Sequence, residues 1–534
     1  MRKTGILVGV VAMGLAGGAW AETATPVTAA VAVTAPLPLS SEAEALKAAL
    51  DAQNAPVLTA FYAARNYAPI WTDLRRAAFA AALSHARRHG LPEARYNTDA
   101  LRDIFDAGLA TGDIEASALF LRYAQDLSTG LIEPRSADRD IVIKRPEFDA
   151  PAALNALSLA SDPTAYLAGL APQHPDYARL VEERGRLIDL IDAGGWGAPL
   201  TATSTLRPGA QGPEIAVLRT RLGLMEGRDY GLSPEYDADL VTAVKAFQLR
   251  KGLADDGVIG PKTRAALNAS PTDRLKQVLV NLERQRWLNL DRGARHILVN
   301  QADFMVEVVD QGETTFRSRV VIGKNAHRTQ EFDDTMTHMV VNPTWHVPRS
   351  IATEEMLPRL KRNPGTLGGS YQVMTRNGTR VNPNFVNFNQ FNKSNFPFVI
   401  KQRPGSANAL GKVKFMFPNE FNIYLHDTPS KSLFNRDVRA YSHGCVRVQK
   451  PFELAYHLLG PQAAAPKEMF TGILNTGRER RVNLETPVPI YLTYQSVVFD
   501  EAGLAQYRGD VYGRDARVFR ALTEAGVSLD LVEG

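Results

Sequence analysis

The spacing of hydrophobic residues along the chain changes in character near residue 296. Before it, apolar residues recur at intervals of three and four, which predicts amphipathic helices. From His296 onward they recur mostly at every second position, which predicts strands. The chain therefore divides into a helical part followed by a β-rich part.

Three segments make up the predicted helical part. Residues 41–200 read as an all-α scaffold, and residues 205–270 as a small module of three helices. Residues 271–295 return to helix, and we expect the module to be an insertion within one scaffold domain. The returning helix carries a stripe at i, i+3, i+4 and i+7 that should be buried: Leu275, Val278, Leu279 and Leu282.

The β-rich part is predicted to be one domain over residues 296–495. Asp310-Gln311-Gly312-Glu313 reads as the turn of a hairpin. Residues 350–411 interrupt the strands, and long insertions beside a site often act as lids. Residues 496–534 form a C-terminal tail that we expect to pack on this domain. The predicted fold class is thus multidomain: an all-α scaffold, a three-helix module and a β-rich domain.

Composition limits the partners of the chain. It has 534 residues, 45% of them hydrophobic, so it can form several globular domains. With 61 basic and 57 acidic residues the formal net charge is only +4. This balance gives no electrostatic support for a nucleic-acid partner.

The N-terminus has the pattern of an export signal over residues 1–21. Arg2-Lys3 precede a short apolar run, and Ala19-Trp20-Ala21 resembles a cleavage site. A linker rich in Ala, Thr, Val and Pro follows over residues 22–40. No comparable apolar run occurs later, so we expect no membrane span after signal removal.

Export makes the cysteine count informative, because Cys445 is the only cysteine in the sequence. Exported proteins usually pair their cysteines as disulfides, which this chain cannot do internally. Cys445 lies in Ser442-His443-Gly444-Cys445, with His426 nineteen positions before it. A lone thiol near histidines is a candidate nucleophile, since it needs a base to become a thiolate. The spacing leaves open whether His426 or His443 is that base.

Two further expectations concern the surroundings of the thiol. Gly444 allows close approach of the backbone, so the N–H groups of Gly444 and Cys445 are candidates for an oxyanion hole. Residues 421–426 read as a strand with Phe421, Ile423 and Leu425 directed inward. Asn422, Tyr424 and His426 would then share an open, polar face.

These motifs resemble known families. His426, fifteen intervening residues and Ser442-His443-Gly444-Cys445 are similar to the signature of the YkuD-type L,D-transpeptidases, as are Asn342-Pro343-Thr344-Trp345 and Tyr424-Leu425-His426-Asp427-Thr428-Pro429. In the module, Ala243-Val244 with Phe247-Gln248, and the turn Gly257 to Thr263, resemble the peptidoglycan-binding domain. Together with the signal, scaffold and insertion, the chain is similar to the long Gram-negative form of the transpeptidase, which has a capping insertion.

The resemblance implies roles for individual residues. Cys445 would be the nucleophile and His426 its base, oriented by the carbonyl of Asp427, while His443 and Gly444 would shape the site. Arg447 would bind a carboxylate of the substrate, with a structural ion pair as the equal alternative. The other residues implied to contact substrate are Tyr424, Ser442 and Asp427. The family needs no metal and no organic cofactor.

The resemblance also implies a reaction in the periplasm. Cys445 would attack a tetrapeptide stem of peptidoglycan between diaminopimelate and the terminal D-alanine, releasing D-alanine and leaving a thioester. An amine of a second stem would then form a 3→3 cross-link. Carbapenems would acylate Cys445, and cell-wall synthesis proteins are expected partners. The alternatives are an L,D-carboxypeptidase with water as acceptor, transfer to another amine, and a non-catalytic wall-binding scaffold.

Overall fold

The computed structural model describes residues 39–529. The predicted signal peptide, and the linker except for its last two residues, lie outside the described residues.

Helices form the first part of the chain, and most of those before residue 170 share one hydrophobic core. Side-chain caps start several of them: Ser40 accepts the N–H of Ala43, and Asp149 that of Ala152. Trp71, Phe79 and Phe120 pack against one another in the centre of the core. The helices are α1 Ser41–Asp51, α2 Pro56–Ala63, α3 Asp73–Ser84, α4 Thr98–Asp106, α5 Leu109–Thr129, α6 Pro134–Ala137, α7 Ala150–Leu159, α8 Pro163–Ala168 and α9 Pro175–Asp192.

The three-helix module has a hydrophobic core of its own. Gln248 connects its second helix to the turn before the third, because Oε1 accepts the N–H of Gly257 at 2.8 Å and Nε2 donates to the carbonyl of Val258 at 3.0 Å. This pair of bonds explains why a Gln in the helix accompanies the Gly-rich turn. The helices are α10 Pro213–Glu226, α11 Ala238–Arg250 and α12 Pro261–Asn268.

Helix α13, Pro271–Trp287, lies at the junction of the other parts. The predicted stripe is confirmed: Leu275, Val278, Leu279 and Leu282 are all buried, and the helix packs against α9. Its charged residues are buried as well, among them Glu283, Arg284 and Arg286. Helical spacing of apolar residues does not predict this second buried face.

The β-rich domain is built on a nine-stranded sheet in the order β11-β3-β12-β10-β9-β4-β13-β1-β2. Strands β2 and β3 also pair, so the sheet closes on itself around a hydrophobic core. The predicted hairpin turn is confirmed, with Gln311 and Gly312 both at positive φ, as a type I′ turn requires. The strands are β1 Arg295–Asn300, β2 Met305–Asp310, β3 Glu313–Gly323, β4 Phe332–Val341, β9 Val413–Met416, β10 Leu425–His426, β11 Ala440–Ser442, β12 Val446–Val448 and β13 Arg480–Thr493.

The insertion between β4 and β9 folds around a separate core. A four-stranded sheet, β5-β8-β6-β7, packs with two short helices and a π-helical turn at Ala352–Met356. Its elements are β5 Trp345–His346, α14 Arg349–Ile351, α15 Leu357–Arg362, β6 Tyr371–Thr375, β7 Arg380–Val381 and β8 Phe398–Gln402.

The remaining elements complete the β-rich domain and the tail: α16 Pro451–Leu459, α17 Pro466–Asn475, β14 Val497–Phe499, β15 Ala505–Tyr507 and α18 Arg514–Glu524. The tail makes two sets of contacts. Asp515 binds Arg284 of α13 at 2.6 Å, and Arg514 binds Glu331 next to β4 at 3.0 Å. It therefore packs on the returning helix as well as on the β-rich domain.

This architecture confirms the predicted multidomain fold class of helical scaffold, three-helix module and β-rich domain. Between residues 39 and 529 there is no helix both long and apolar enough to cross a membrane.

Candidate active site

Strand register brings the candidate residues to one face of the sheet. In the parallel pair of β10 and β12, Leu425 lies opposite Val446 and His426 opposite Arg447. Leu425 and Val446 are fully buried in the core. Because side chains alternate along a strand, the opposite face carries His426 and Arg447, together with Tyr424 and Cys445 two residues before them.

The thiol of Cys445 is held against the segment that leads into β10. Sγ lies 3.6 Å from the carbonyl oxygen of Asn422, to which the thiol donates. Burial raises the pKa of Cys445 to about 11, although the neighbouring Tyr424 and the charges of Arg447 and Lys414 oppose this. The resting nucleophile is therefore a neutral thiol.

His426 is oriented by the backbone. Its Nδ1 donates a hydrogen bond to the carbonyl oxygen of Asp427, which leaves Nε2 as the ring nitrogen able to take a proton. The side chain is 5% exposed, and burial, with Arg447 beside it, lowers its pKa to about 3. The imidazole is therefore neutral at rest, which is the form that a general base requires.

The predicted strand over residues 421–426 is wrong in length, since only Leu425 and His426 are in a strand. The amide of Asn419 bonds to the backbone of Phe421 and Ile423, and Asn422 has φ +54. These local bonds replace ladder bonds. Tyr424 and His426 nevertheless share a side, with ring centroids 5.7 Å apart, but His426 is buried there and not open.

His443 faces away from the thiol and toward the insertion. Its Nε2 lies 2.6 Å from Oε1 of Glu355 and 3.2 Å from Nζ of Lys324, and its ring packs on His327. The chain turns between His443 and Cys445 at Gly444, whose φ of +110 favours glycine. These contacts favour His426 over His443 as the base, a choice that the sequence left open.

The hydroxyl of Ser442 is used within the loop. It donates to the carbonyl oxygen of Cys445 and accepts the N–H of Gly444 at 3.2 Å. Ser442 therefore positions the loop, while its contact with substrate stays a prediction, and the N–H of Gly444 already has an acceptor in the hydroxyl of Ser442. The N–H of Cys445 has no acceptor within residues 39–529 and remains a candidate donor.

The side chain of Asp427 is also used internally. Oδ2 accepts the N–H of Lys412 at 2.8 Å, and Oδ1 pairs with Nζ of Lys431 at 2.6 Å. Gly411, at φ +62, faces the same carboxylate so closely that a Cβ there would collide with it. Asp427 is buried and its carbonyl oxygen holds His426, while its contact with substrate stays a prediction.

Arg447 and Tyr424 keep the predicted places beside the thiol. No carboxylate in the described part of the chain pairs with Arg447, so the alternative of a structural ion pair has no partner there. Its Nε is buried without a hydrogen-bond partner. Burial raises the pKa of Tyr424 well above its usual value, and the neighbouring Cys445 adds to this shift.

Two residues at the candidate site, Lys414 and Glu355, were not predicted from the sequence. Lys414 of β9 lies opposite His426, and its Nζ lies 5.6 Å from the ring centroid of Tyr424. Glu355 enters from the insertion. Strand alternation from Val413 to Phe417 could have placed Lys414 on the polar face, but no sequence signal paired Glu355 with His443. Residues 39–529 contain no group of three or more His, Cys, Asp and Glu suited to a metal ion.

Comparison with protein families gives three matches. Residues 294–490 match the YkuD family, described as "L,D-transpeptidase catalytic domain". Residues 56–183 match a family described as "Scaffold domain", and residues 211–267 one described as "Putative peptidoglycan binding domain". The predicted YkuD-type catalytic domain with accompanying modules is therefore confirmed.

A curated protein is similar to part of this chain. A Haemophilus influenzae protein named "Putative L,D-transpeptidase" is 31% identical over 238 residues, which is 44% of this chain and 47% of that protein. The chain thus spans about half the length of this curated relative.

Two solved structures are similar at lower identity. An L,D-transpeptidase from Mycobacterium smegmatis is 12% identical over 38% of this chain and 58% of its own, with a TM-score of 0.18. One from Xylanimonas cellulosilytica is 14% identical over 55% of this chain and 100% of its own, with a TM-score of 0.17. At these TM-scores neither structure adds to the sequence matches.

Proposed function

We propose that the chain, which carries a YkuD-type L,D-transpeptidase catalytic domain beside scaffold and peptidoglycan-binding modules, forms 3→3 cross-links in peptidoglycan through a thioester on Cys445. The observation that carries the proposal is the arrangement around the thiol. Cys445 lies on the same face as His426, whose Nδ1 is held by the Asp427 carbonyl while Nε2 is free to act as base.

The first half-reaction would proceed from neutral partners. Nε2 of His426 takes the thiol proton as Sγ attacks the carbonyl carbon between diaminopimelate and D-alanine. The N–H of Cys445 would stabilise the resulting oxyanion. The protonated His426 then gives its proton to the departing nitrogen of D-alanine, the C–N bond breaks and a thioester remains.

The second half-reaction returns the enzyme to its starting state. The side-chain amine of diaminopimelate on another stem attacks the thioester carbon, and His426 removes the proton from that amine. The C–S bond breaks, and Sγ regains a proton from His426. Water attacking in place of the amine gives an L,D-carboxypeptidase, and a different amine gives transfer to another acceptor.

The position of the insertion supports an amine acceptor. Glu355, on the π-helical turn of the insertion, contacts His443 two residues before the nucleophile. We infer that the insertion acts as a cap that limits access of water to the thioester. Arg447, without an ion-pair partner in the described chain, would bind a carboxylate of the stem.

The proposal also covers the domain boundaries, the partners and the location of the protein. The predicted domain boundaries, including the scaffold at 41–200 and the cap at 350–411, are retained as part of it. Peptidoglycan would be both substrate and binding partner, and the export signal would deliver the enzyme to the periplasm. Acylation of Cys445 by carbapenems and contacts with cell-wall synthesis proteins belong to the same proposal.

The products identify the acceptor. Purified mature protein is incubated with disaccharide tetrapeptides containing diaminopimelate, and the muropeptides are analysed by mass spectrometry. A 3→3 dimer with release of D-alanine supports the proposal. Tripeptide monomer alone indicates a carboxypeptidase. No consumption of tetrapeptide, with Cys445→Ala matching wild type, supports a non-catalytic wall-binding scaffold and overturns the proposal.

A further inference from the structure

The face that carries the thiol also carries a second cation, Lys414. In the sheet, His426 of β10 pairs with Arg447 of β12 on one side and with Lys414 of β9 on the other. Paired residues on neighbouring strands lie side by side, about 5 Å apart. Arg447, His426 and Lys414 therefore form one row across the sheet.

The side chain of Lys414 turns back toward the thiol. Its Nζ lies over the ring of Tyr424, at 5.6 Å from the centroid, and is close enough to Cys445 for the two groups to interact electrostatically. Burial lowers the pKa of Lys414, opposed by the charges of Glu479 and Cys445. The ammonium group therefore stands beside the site, half-buried, and not in bulk solvent.

Within residues 39–529 no carboxylate forms an ion pair with this ammonium group. The carboxylate with the largest electrostatic effect on it is Glu479, which accepts the backbone N–H of Thr344. The side chain of Lys414 has no hydrogen bond in the described part of the chain, and it lies against the face of Tyr424. Partly buried cations are costly unless paired, so an unpaired one beside a nucleophile indicates a site for an anionic group of the ligand.

The order of the reacting groups across the strands indicates which anionic group of the substrate would reach Lys414. This step rests on the proposed function. Attack places the carbonyl carbon at Sγ of Cys445, directly before β12, and protonation requires the departing nitrogen to lie at His426 on β10. In the sheet, the strand that follows β12 and β10 in this direction is β9. The carboxylate of the departing amino acid, attached one carbon beyond that nitrogen, then comes to Lys414.

We propose that Lys414 binds the terminal carboxylate of the departing amino acid and so determines specificity for donors that end in a free carboxylate. The ammonium group would position the leaving residue so that its nitrogen meets Nε2 of His426. Neutral or extended C-termini would lack this contact and would be poor donors.

The test compares wild type and Lys414 variants with two donor peptides that differ only at the C-terminus. Acylation of Cys445 is followed by intact-protein mass spectrometry with a tetrapeptide ending in D-alanine and with the same peptide ending in D-alaninamide. We expect wild type to prefer the free acid by about 10- to 100-fold in kcat/KM, the range for one charged hydrogen bond. Lys414→Met should lose this preference because acylation by the free-acid donor alone becomes slower. Lys414→Arg should retain most of the preference. Lys467→Met, a control at an exposed position, should equal wild type.

Different results would overturn the role of Lys414 and the proposed function. An unchanged preference in Lys414→Met overturns the assignment, as does an equal loss for both donors, which would indicate general damage to β9. A preference abolished by Arg447→Met and retained in Lys414→Met assigns the carboxylate to Arg447 instead. Absence of acylation in wild type with both donors overturns the proposed function itself, and this inference with it.

Discussion

Nδ1 of His426 donates a hydrogen bond to the backbone carbonyl of Asp427, so the tautomer of this candidate base is set by the main chain and not by a carboxylate. A side-chain orienting group could change its charge with pH, whereas a carbonyl cannot. The arrangement leaves Nε2 as the free nitrogen of the neutral ring.

This relationship predicts unequal effects for the two histidines of the site. His426→Ala should slow acylation of Cys445 by about 10²- to 10⁴-fold, the usual loss for a general base. His443→Ala should cost less than about tenfold, because His443 binds Glu355 and Lys324 instead of the thiol. Single-turnover acylation of both variants measures the difference. Equal losses would contradict the assignment of the base.

The neutral resting pair predicts a particular pH dependence. Burial raises the pKa of Cys445 to about 11, so the thiolate fraction grows about tenfold per pH unit below that value. The rate of alkylation by iodoacetamide should therefore rise steadily from pH 7 to 9 and fall as pH is lowered. Since Cys445 is the only cysteine, one adduct reports it. A plateau between pH 6 and 8 would instead indicate a thiolate–imidazolium pair.

The cap should influence the choice between amine and water. Glu355→Gln weakens the contact with His443, so the ratio of tripeptide to 3→3 dimer should rise several-fold as water gains access. Glu354→Gln is the matched control, because Glu354 pairs with Lys393 inside the insertion. Muropeptide analysis measures both ratios. Equal ratios in the two variants would show that the His443 contact does not govern access.

The tail should be required for the stability of the returning helix. Arg284 of α13 and Asp515 of α18 form a buried ion pair, 2% and 9% exposed. Removing one partner leaves an unpaired buried charge, so Asp515→Ala should destabilise the fold by about 3 kcal/mol and lower Tm. Asp99→Ala breaks an exposed pair with Arg102 and should change Tm little. Calorimetry of both variants tests the contrast.

The sequence predicts what local patterns encode. The hairpin at Gln311-Gly312 follows from turn chemistry, and the stripe beginning at Leu275 follows from helical spacing. Cys445 and His426 emerge from a motif with fixed spacing. Each of these signals lies within a short stretch of chain.

Features that depend on distant packing could not be predicted in this way. Arg284 reads as a polar position on α13, and only the tail, 231 residues further on, shows why it is buried. Glu355 meets His443 across 88 residues. The strand predicted at Phe421 is shortened because the amide of Asn419 takes over its backbone bonds.

The central claim, a thioester on Cys445, is tested most directly by the mass of the enzyme itself. Wild-type protein mixed with tetrapeptide and quenched in acid should gain the mass of the donor minus D-alanine. Proteolysis should place that adduct on Cys445, and Cys445→Ala should show none. An unmodified wild-type enzyme under conditions where tetrapeptide is consumed, or an adduct that persists in Cys445→Ala, would contradict the account.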